Sequence, residues 1–94
     1  MRGKNERSNK DRSLEILEGA GYKCVWTPNG GSGWSWHIIG ISGRDVILVH
    51  VRTGGWPTLM ETVQMRLFIT PANVRKLIHR WDKHQPPHLQ VREL

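Results

Sequence analysis

Hydrophobic positions recur along this chain in two rhythms, one helical and one alternating, and the change of rhythm marks the elements. Leu14, Ile16, Leu17 and Ala20 fall at helical spacing and Gly21 follows as a stop, so a first amphipathic helix is predicted behind a polar, charged leader covering residues 1–9. Lys23 to Thr27 reads as a strand. Pro28-Asn29-Gly30-Gly31-Ser32-Gly33 is a loop whose glycines permit close backbone approach. Two β-rich runs, Trp34 to Ile41 and Asp45 to Arg52, flank Ser42-Gly43-Arg44-Asp45, which suits a tight hairpin with Gly43 at its first central position.

A second loop, Thr53-Gly54-Gly55-Trp56-Pro57, ends at Thr58 and Glu61, which stand in capping-box spacing ahead of Leu59, Met60, Val63, Leu67 and Phe68. A second helix to about Phe68 is predicted. Thr70 to Asn73 turns the chain into Val74 to Trp81, where Leu77 and Ile78 suit a strand and a short helix is the alternative. Pro86-Pro87 separates a last extended piece, Leu89 to Glu93. The order α-β-β-β-α-β-β, without repeats or heptads, predicts an α/β (α+β) domain with a mixed sheet and helices packed on it. Ninety-four residues allow one domain, expected over 10–94 behind the basic segment 1–9.

Charge adds an expectation about partners. Fourteen Lys and Arg against eight Asp and Glu leave a formal +6, and the excess sits at the two ends. Residues 1–12 hold Arg2, Lys4, Arg7, Lys10 and Arg12 against Glu6 and Asp11, and residues 74–94 hold Arg75, Lys76, Arg80, Lys83 and Arg92 against Asp82 and Glu93. A polyanion would gain from that arrangement by releasing its condensed counterions, so nucleic acid, DNA ahead of RNA, is the expected partner. Of these cations Arg2, Lys4, Arg7, Lys10, Arg12, Arg75 and Lys76 are the candidate contacts; basic ends that merely aid solubility are the plain alternative. Trp34, Trp36 and Trp56 fall in or beside loops, and Trp34 and Trp56 are candidates to stack on bases. Packing is the expected role of Trp26 and Trp81. The single Cys24, expected in a buried strand, excludes an intramolecular disulfide and a thiolate zinc cluster and suits a reducing cytoplasm. No apolar run is long enough for a membrane span, and none follows the basic start as a signal peptide requires.

The hairpin gathers candidate chemistry. With Gly43 and Arg44 as the turn, facing positions put His37 opposite His50, Ile39 opposite Leu48 and Ser35 opposite Arg52, all on one face, with opposed Cβ atoms ~5 Å apart. A slip of one residue would separate the histidines. Three outcomes are open for His37, His50 and Arg52. Two neutral imidazoles could chelate a transition metal, but no third ligand follows from the spacing. One histidine could act as general base or acid while Arg52 stabilises a phosphoryl oxygen, with no metal needed. Or both are hydrogen-bonded strand residues, and Arg52 a phosphate contact or solvated charge.

At these residues the chain resembles the PD-(D/E)XK nuclease superfamily, in particular its small Holliday-junction-resolvase-like members. The resemblance spans nearly the whole chain: a basic helix ending in Leu17-Glu18-Gly19-Ala20-Gly21-Tyr22, a strand, a Gly-rich loop, then Trp36-His37-Ile38-Ile39-Gly40-Ile41 and Val46-Ile47-Leu48-Val49-His50-Val51-Arg52-Thr53-Gly54, a helix after Pro57-Thr58, and strands ending in Val91-Arg92-Glu93-Leu94. It implies a restriction-endonuclease-like mixed central sheet flanked by helices, phosphodiester hydrolysis through a divalent ion, and a homodimer. In such proteins the first central strand opens with a metal-binding Asp and the second carries Glu or Gln, any residue, then Lys. His37, His50 and Arg52 stand at those three places. Neutral imidazole is a poor ligand for a hard, oxygen-seeking cation, so ordinary magnesium-dependent cleavage is not expected; a divalent metal is possible as cofactor, but its usual carboxylate ligands are absent. A helix-borne acidic ligand of the family would fall at Glu6 or Glu15, and neither is given a role. The expectation is a nucleic-acid-binding nuclease-like protein with a degenerate or altered site. Its rivals are an active endonuclease using the histidine pair, with or without a transition metal, and a protein-interaction or assembly subunit.

Overall fold

The computed structural model describes residues 8–27 and 34–94. Arg2, Lys4, Arg7 and the glycine-rich loop 28–33 lie outside the described residues. Helix α1, Asn9–Gly19, starts at a capping box in which the Ser8 hydroxyl accepts the Asp11 N–H and the Asp11 carboxylate accepts the Ser8 N–H. Ser8 and Asn9, grouped by charge with the leading segment, thus form the cap and first residue of the helix. The chain leaves it through Gly21, at φ +100°, a backbone conformation that favours glycine. Helix α2, Leu59–Leu67, is capped in the same way by Thr58 and Glu61, as the spacing predicts.

Five strands follow the predicted order: β1 Lys23–Trp26, β2 Ile38–Ile41, β3 Val46–Thr53, β4 Val74–Trp81 and β5 Leu89–Glu93. They lie in one sheet in chain order, antiparallel except for the parallel pair β3 and β4, which α2 connects. The mixed α+β architecture read from the pattern is the one observed, and residues 74–81 are strand rather than helix.

Strand alternation sorts the core into two layers. Ile47, Val49 and Val51 face α1, packing with Leu17, Tyr22, Ile38, Leu77 and Trp81; Leu48 faces the other way, packing with Met65 of α2, Trp36 and Ile78. Ile38, Ile47, Val49 and Ile78 are fully enclosed, each contributing roughly 1.5–3 kcal/mol of burial. Gly40 faces Ile47 at a distance that leaves no room for a side chain: a Cβ there would lie 2.8 Å from Ile47 Cγ1 and 3.3 Å from Tyr22 Cβ.

Several expectations are corrected. The hairpin turn holds its predicted register, Ile41 opposite Val46 and Ile39 opposite Leu48, but Gly43 is not in the left-handed region. The Ser42 hydroxyl holds the turn instead, accepting the N–H groups of Arg44 and Asp45 at 3.1 and 3.2 Å. Asp45 is in turn tied by the Tyr22 hydroxyl at 2.7 Å. Strand β2 begins at Ile38, not Trp34, because the alternation breaks there: Trp36 joins the α2-side cluster although Ile38 faces α1 and Ile39 faces α2. Ser35 therefore does not pair with Arg52 in the ladder. Trp26, expected to pack, is 45% exposed on edge strand β1, and Cys24 is half-buried rather than buried. Trp81 is core, as expected.

Candidate nucleic-acid interface

The two histidines meet. Their ring centroids are 4.8 Å apart with planes at 37°, His37 just before β2 and His50 within β3. His37 Nδ1 accepts the Val51 N–H at 2.8 Å. His50 Nδ1 lies against the Ser35 carbonyl, which can only accept, so this nitrogen carries the proton. The two neutral rings are thus opposite tautomers: His37 presents an Nε2–H and His50 a bare Nε2 lone pair. That lone pair is buried and has no partner among the described residues. Burial pushes the His37 pKa down to about 4, helped by His50 and by the nearby charge of Lys10. Burial likewise lowers His50, against the opposing pull of the Ser35 carbonyl.

These donors do not fit a hard divalent ion. The pair offers one imidazole lone pair, enclosed, and among the described residues no group of three or more His, Cys, Asp and Glu could hold a metal. Glu61, a carboxylate the spacing assigned only to capping, is the acid beside the site. It divides its oxygens between the Thr58 N–H at 3.0 Å and the Arg52 guanidinium at 2.8 Å, and these contacts hold its pKa down to about 2. Arg52 therefore sits two residues beyond His50 on the same face, steadied by α2.

Beyond Arg52 the same face continues as a file of guanidinium groups. Arg80 is opposite Arg52 in the parallel register, and Arg92 of β5 is opposite Ile78. Arg80 donates to the Gly54 carbonyl and to the Gln90 side-chain oxygen, both neutral. The Arg92 guanidinium lies 4.0 Å from the centroid of the Trp56 ring, with Arg80 at 5.6 Å. Among the described residues neither has a carboxylate partner; Glu93 points to the opposite face and holds Arg75. Where the strands end, Arg12 and Lys83 border an open hollow of about 370 Å³ with Thr53 and Asp82.

The cations singled out by sequence divide between two ends of the sheet. Lys10, through its charge on the histidines, and Arg12, through the hollow, stand at the end that holds His50 and Arg52. Arg75 and Lys76 stand at the other and are engaged. Arg75 bonds both oxygens of Glu93 at 2.9 and 2.7 Å and reaches Asp45 at 3.3 Å, and Lys76 caps α2 through the carbonyls of Arg66 and Phe68. Trp34 meets Phe68 edge-on at 5.5 Å as part of the α2-side packing. Trp56 alone of the two candidate stacking rings carries a cation on its face. Arg80, Arg92 and Glu61 were missed as site residues because only the β3–β4 and β4–β5 registers and the direction of α2 put them beside Arg52; the alternation of Gln90 and Arg92 along β5 was the available signal.

No protein-family model matches the chain, and no curated protein matches it. No helix among the described residues is long and apolar enough to cross a membrane.

Proposed function

We propose that the chain is a nucleic-acid-binding protein built on a nuclease-like frame in which the metal-dependent step has been given up. One observation carries this: Arg52, Arg80 and Arg92 occupy adjacent strands on one face, the last two with no carboxylate partner among the described residues, beside Trp56. Guanidinium groups in that state suit phosphate oxygens, to which they bond in a fixed fork. The enclosed His50 lone pair speaks against a general base that must reach a bound substrate. A second copy of the chain, implied by the resemblance, would find apolar surface on the outer side of α2, where Leu59 and Leu67 are 79% and 74% exposed.

Salt titration of binding to labelled DNA tests the reading. Affinity should fall linearly with salt on logarithmic axes, and Arg80→Ala with Arg92→Ala should flatten the slope by about 2, close to one ion per phosphate contact. Binding that is absent, or indifferent to salt, would point to a protein-interaction subunit instead.

The resemblance has its own test. His37→Asp, His50→Glu and Arg52→Lys together restore the residues that a magnesium-type site requires. The triple variant is expected to nick supercoiled DNA weakly with magnesium and not with chelator, while the parent does neither. A folded triple variant that cuts nothing counts against descent from such a nuclease.

A further inference from the structure

Trp56 and Arg92 form a layered pair with a particular use. Trp56 leaves the loop after β3 half-buried, packed against the α2-side cluster, and the exposed Arg92 lies over its ring at 4.0 Å. A guanidinium is planar, so one lying over the ring at this distance can extend the aromatic surface outward and adds a charge to it. Arg80, 5.6 Å from the same ring, is held by two neutral acceptors and keeps its charge for an anion. From β3 to β5 the cations stand one per strand, Arg52 directly opposite Arg80 at the ~4.8 Å strand spacing and Arg92 on the diagonal, opposite Ile78. That is a single file, which one phosphate backbone can follow with its bases turned to Trp56.

We infer that this face selects single-stranded over duplex nucleic acid, with an unpaired base stacked on the Arg92–Trp56 pair and its flanking phosphates on Arg80 and Arg52; the inference rests on the nucleic-acid reading above. A paired base has neighbours above and below and cannot reach a ring beside the duplex. An unpaired base can lie on an aromatic or guanidinium plane, whatever its identity. The face should therefore prefer unpaired strands with little regard for sequence.

Fluorescence anisotropy with one labelled oligonucleotide, single-stranded or annealed to its complement, at the same salt concentration decides the matter. The single strand is expected to bind at least about ten-fold more tightly, the scale of one base stacked on an aromatic ring. Trp56→Ala should remove about that factor for the single strand and leave the duplex within about two-fold. Since Trp56 also packs against the core, Arg92→Lys supplies the gentler test: it keeps the charge, loses the plane, and should abolish the preference by weakening the single strand far more than the duplex. Equal or tighter duplex binding by the parent, or an Arg92→Lys protein that retains the full preference, overturns the inference and leaves nucleic-acid binding standing. A folded parent that binds neither form removes both.

Discussion

Acidification from pH 7 to pH 4 is expected to weaken the fold by about 3 kcal/mol through His79 alone. His79 is 2% exposed and its Nδ1 meets the Ser13 hydroxyl at 2.9 Å; burial pushes its pKa from 6.5 down to about 4. Between those two values the unfolded chain binds a proton that the folded protein refuses. The stabilisation is therefore complete above pH 6.5 and declines as pH falls toward 4, after which both states are protonated and the loss levels off. His37, also held down to about 4, acts in the same window and the same direction. The carboxylates do not compensate, because Asp45, Glu61, Asp82 and Glu93 are all lowered and lose their contributions at still lower pH. Urea unfolding at a series of pH values reads the slope, and the His79 ring protons in a magnetic resonance titration read the pKa directly. Stability that stays level from pH 6.5 to 4 would contradict the neutral, buried His79 on which the expectation rests.

Ser13→Ala should cost about 2–6 kcal/mol, because one hydroxyl serves two buried groups and each is left unpaired at roughly 1–3 kcal/mol. Ser13 is fully enclosed on the inner side of α1, and its Oγ accepts the Trp81 Nε1–H at 2.8 Å. The same oxygen meets His79 Nδ1, so one hydroxyl serves both buried rings. The three side chains join α1 to β4 across 66 and 68 residues of sequence. Against a typical stability of about 5–15 kcal/mol for a domain of this size the loss is large. Thermal or urea unfolding of the variant measures it, with Ser8→Ala as the comparison, where a part-buried cap should cost only about 1 kcal/mol. A Ser13 loss no greater than the Ser8 loss would show that the buried trio adds nothing beyond packing.

What the sequence made legible was governed by neighbours along the chain. Thr58 and Glu61 announced α2, Gly21 the end of α1, and the pattern around Ser42-Gly43-Arg44-Asp45 placed His37 beside His50. Even there the turn was read from Gly43 at its first central position, whereas the Ser42 hydroxyl holds it. Neither the break at Trp36 nor the exposure of Trp26 could be read, because each depends on which side of the sheet a neighbouring element covers. The trio of Ser13, His79 and Trp81, the Glu61 bond to Arg52 and the file through Arg80 and Arg92 were illegible for the same reason. They join residues from elements far apart in sequence, and local pattern does not say which faces will meet. Ser13 in particular reads as an ordinary polar residue in a helix until α1 is laid on the sheet.

Between β3 and β4 runs the sheet's one parallel seam, and it sets a hazard during synthesis. Until Val74–Trp81 emerges from the ribosome, Val-Ile-Leu-Val-His-Val-Arg-Thr of β3 has a bare flank of backbone donors and acceptors on the most apolar stretch of the nascent chain. Such a flank is a template for pairing with another molecule. Chains halted short of Val74 should aggregate, and the pairing of β4 along β3 is what closes that flank.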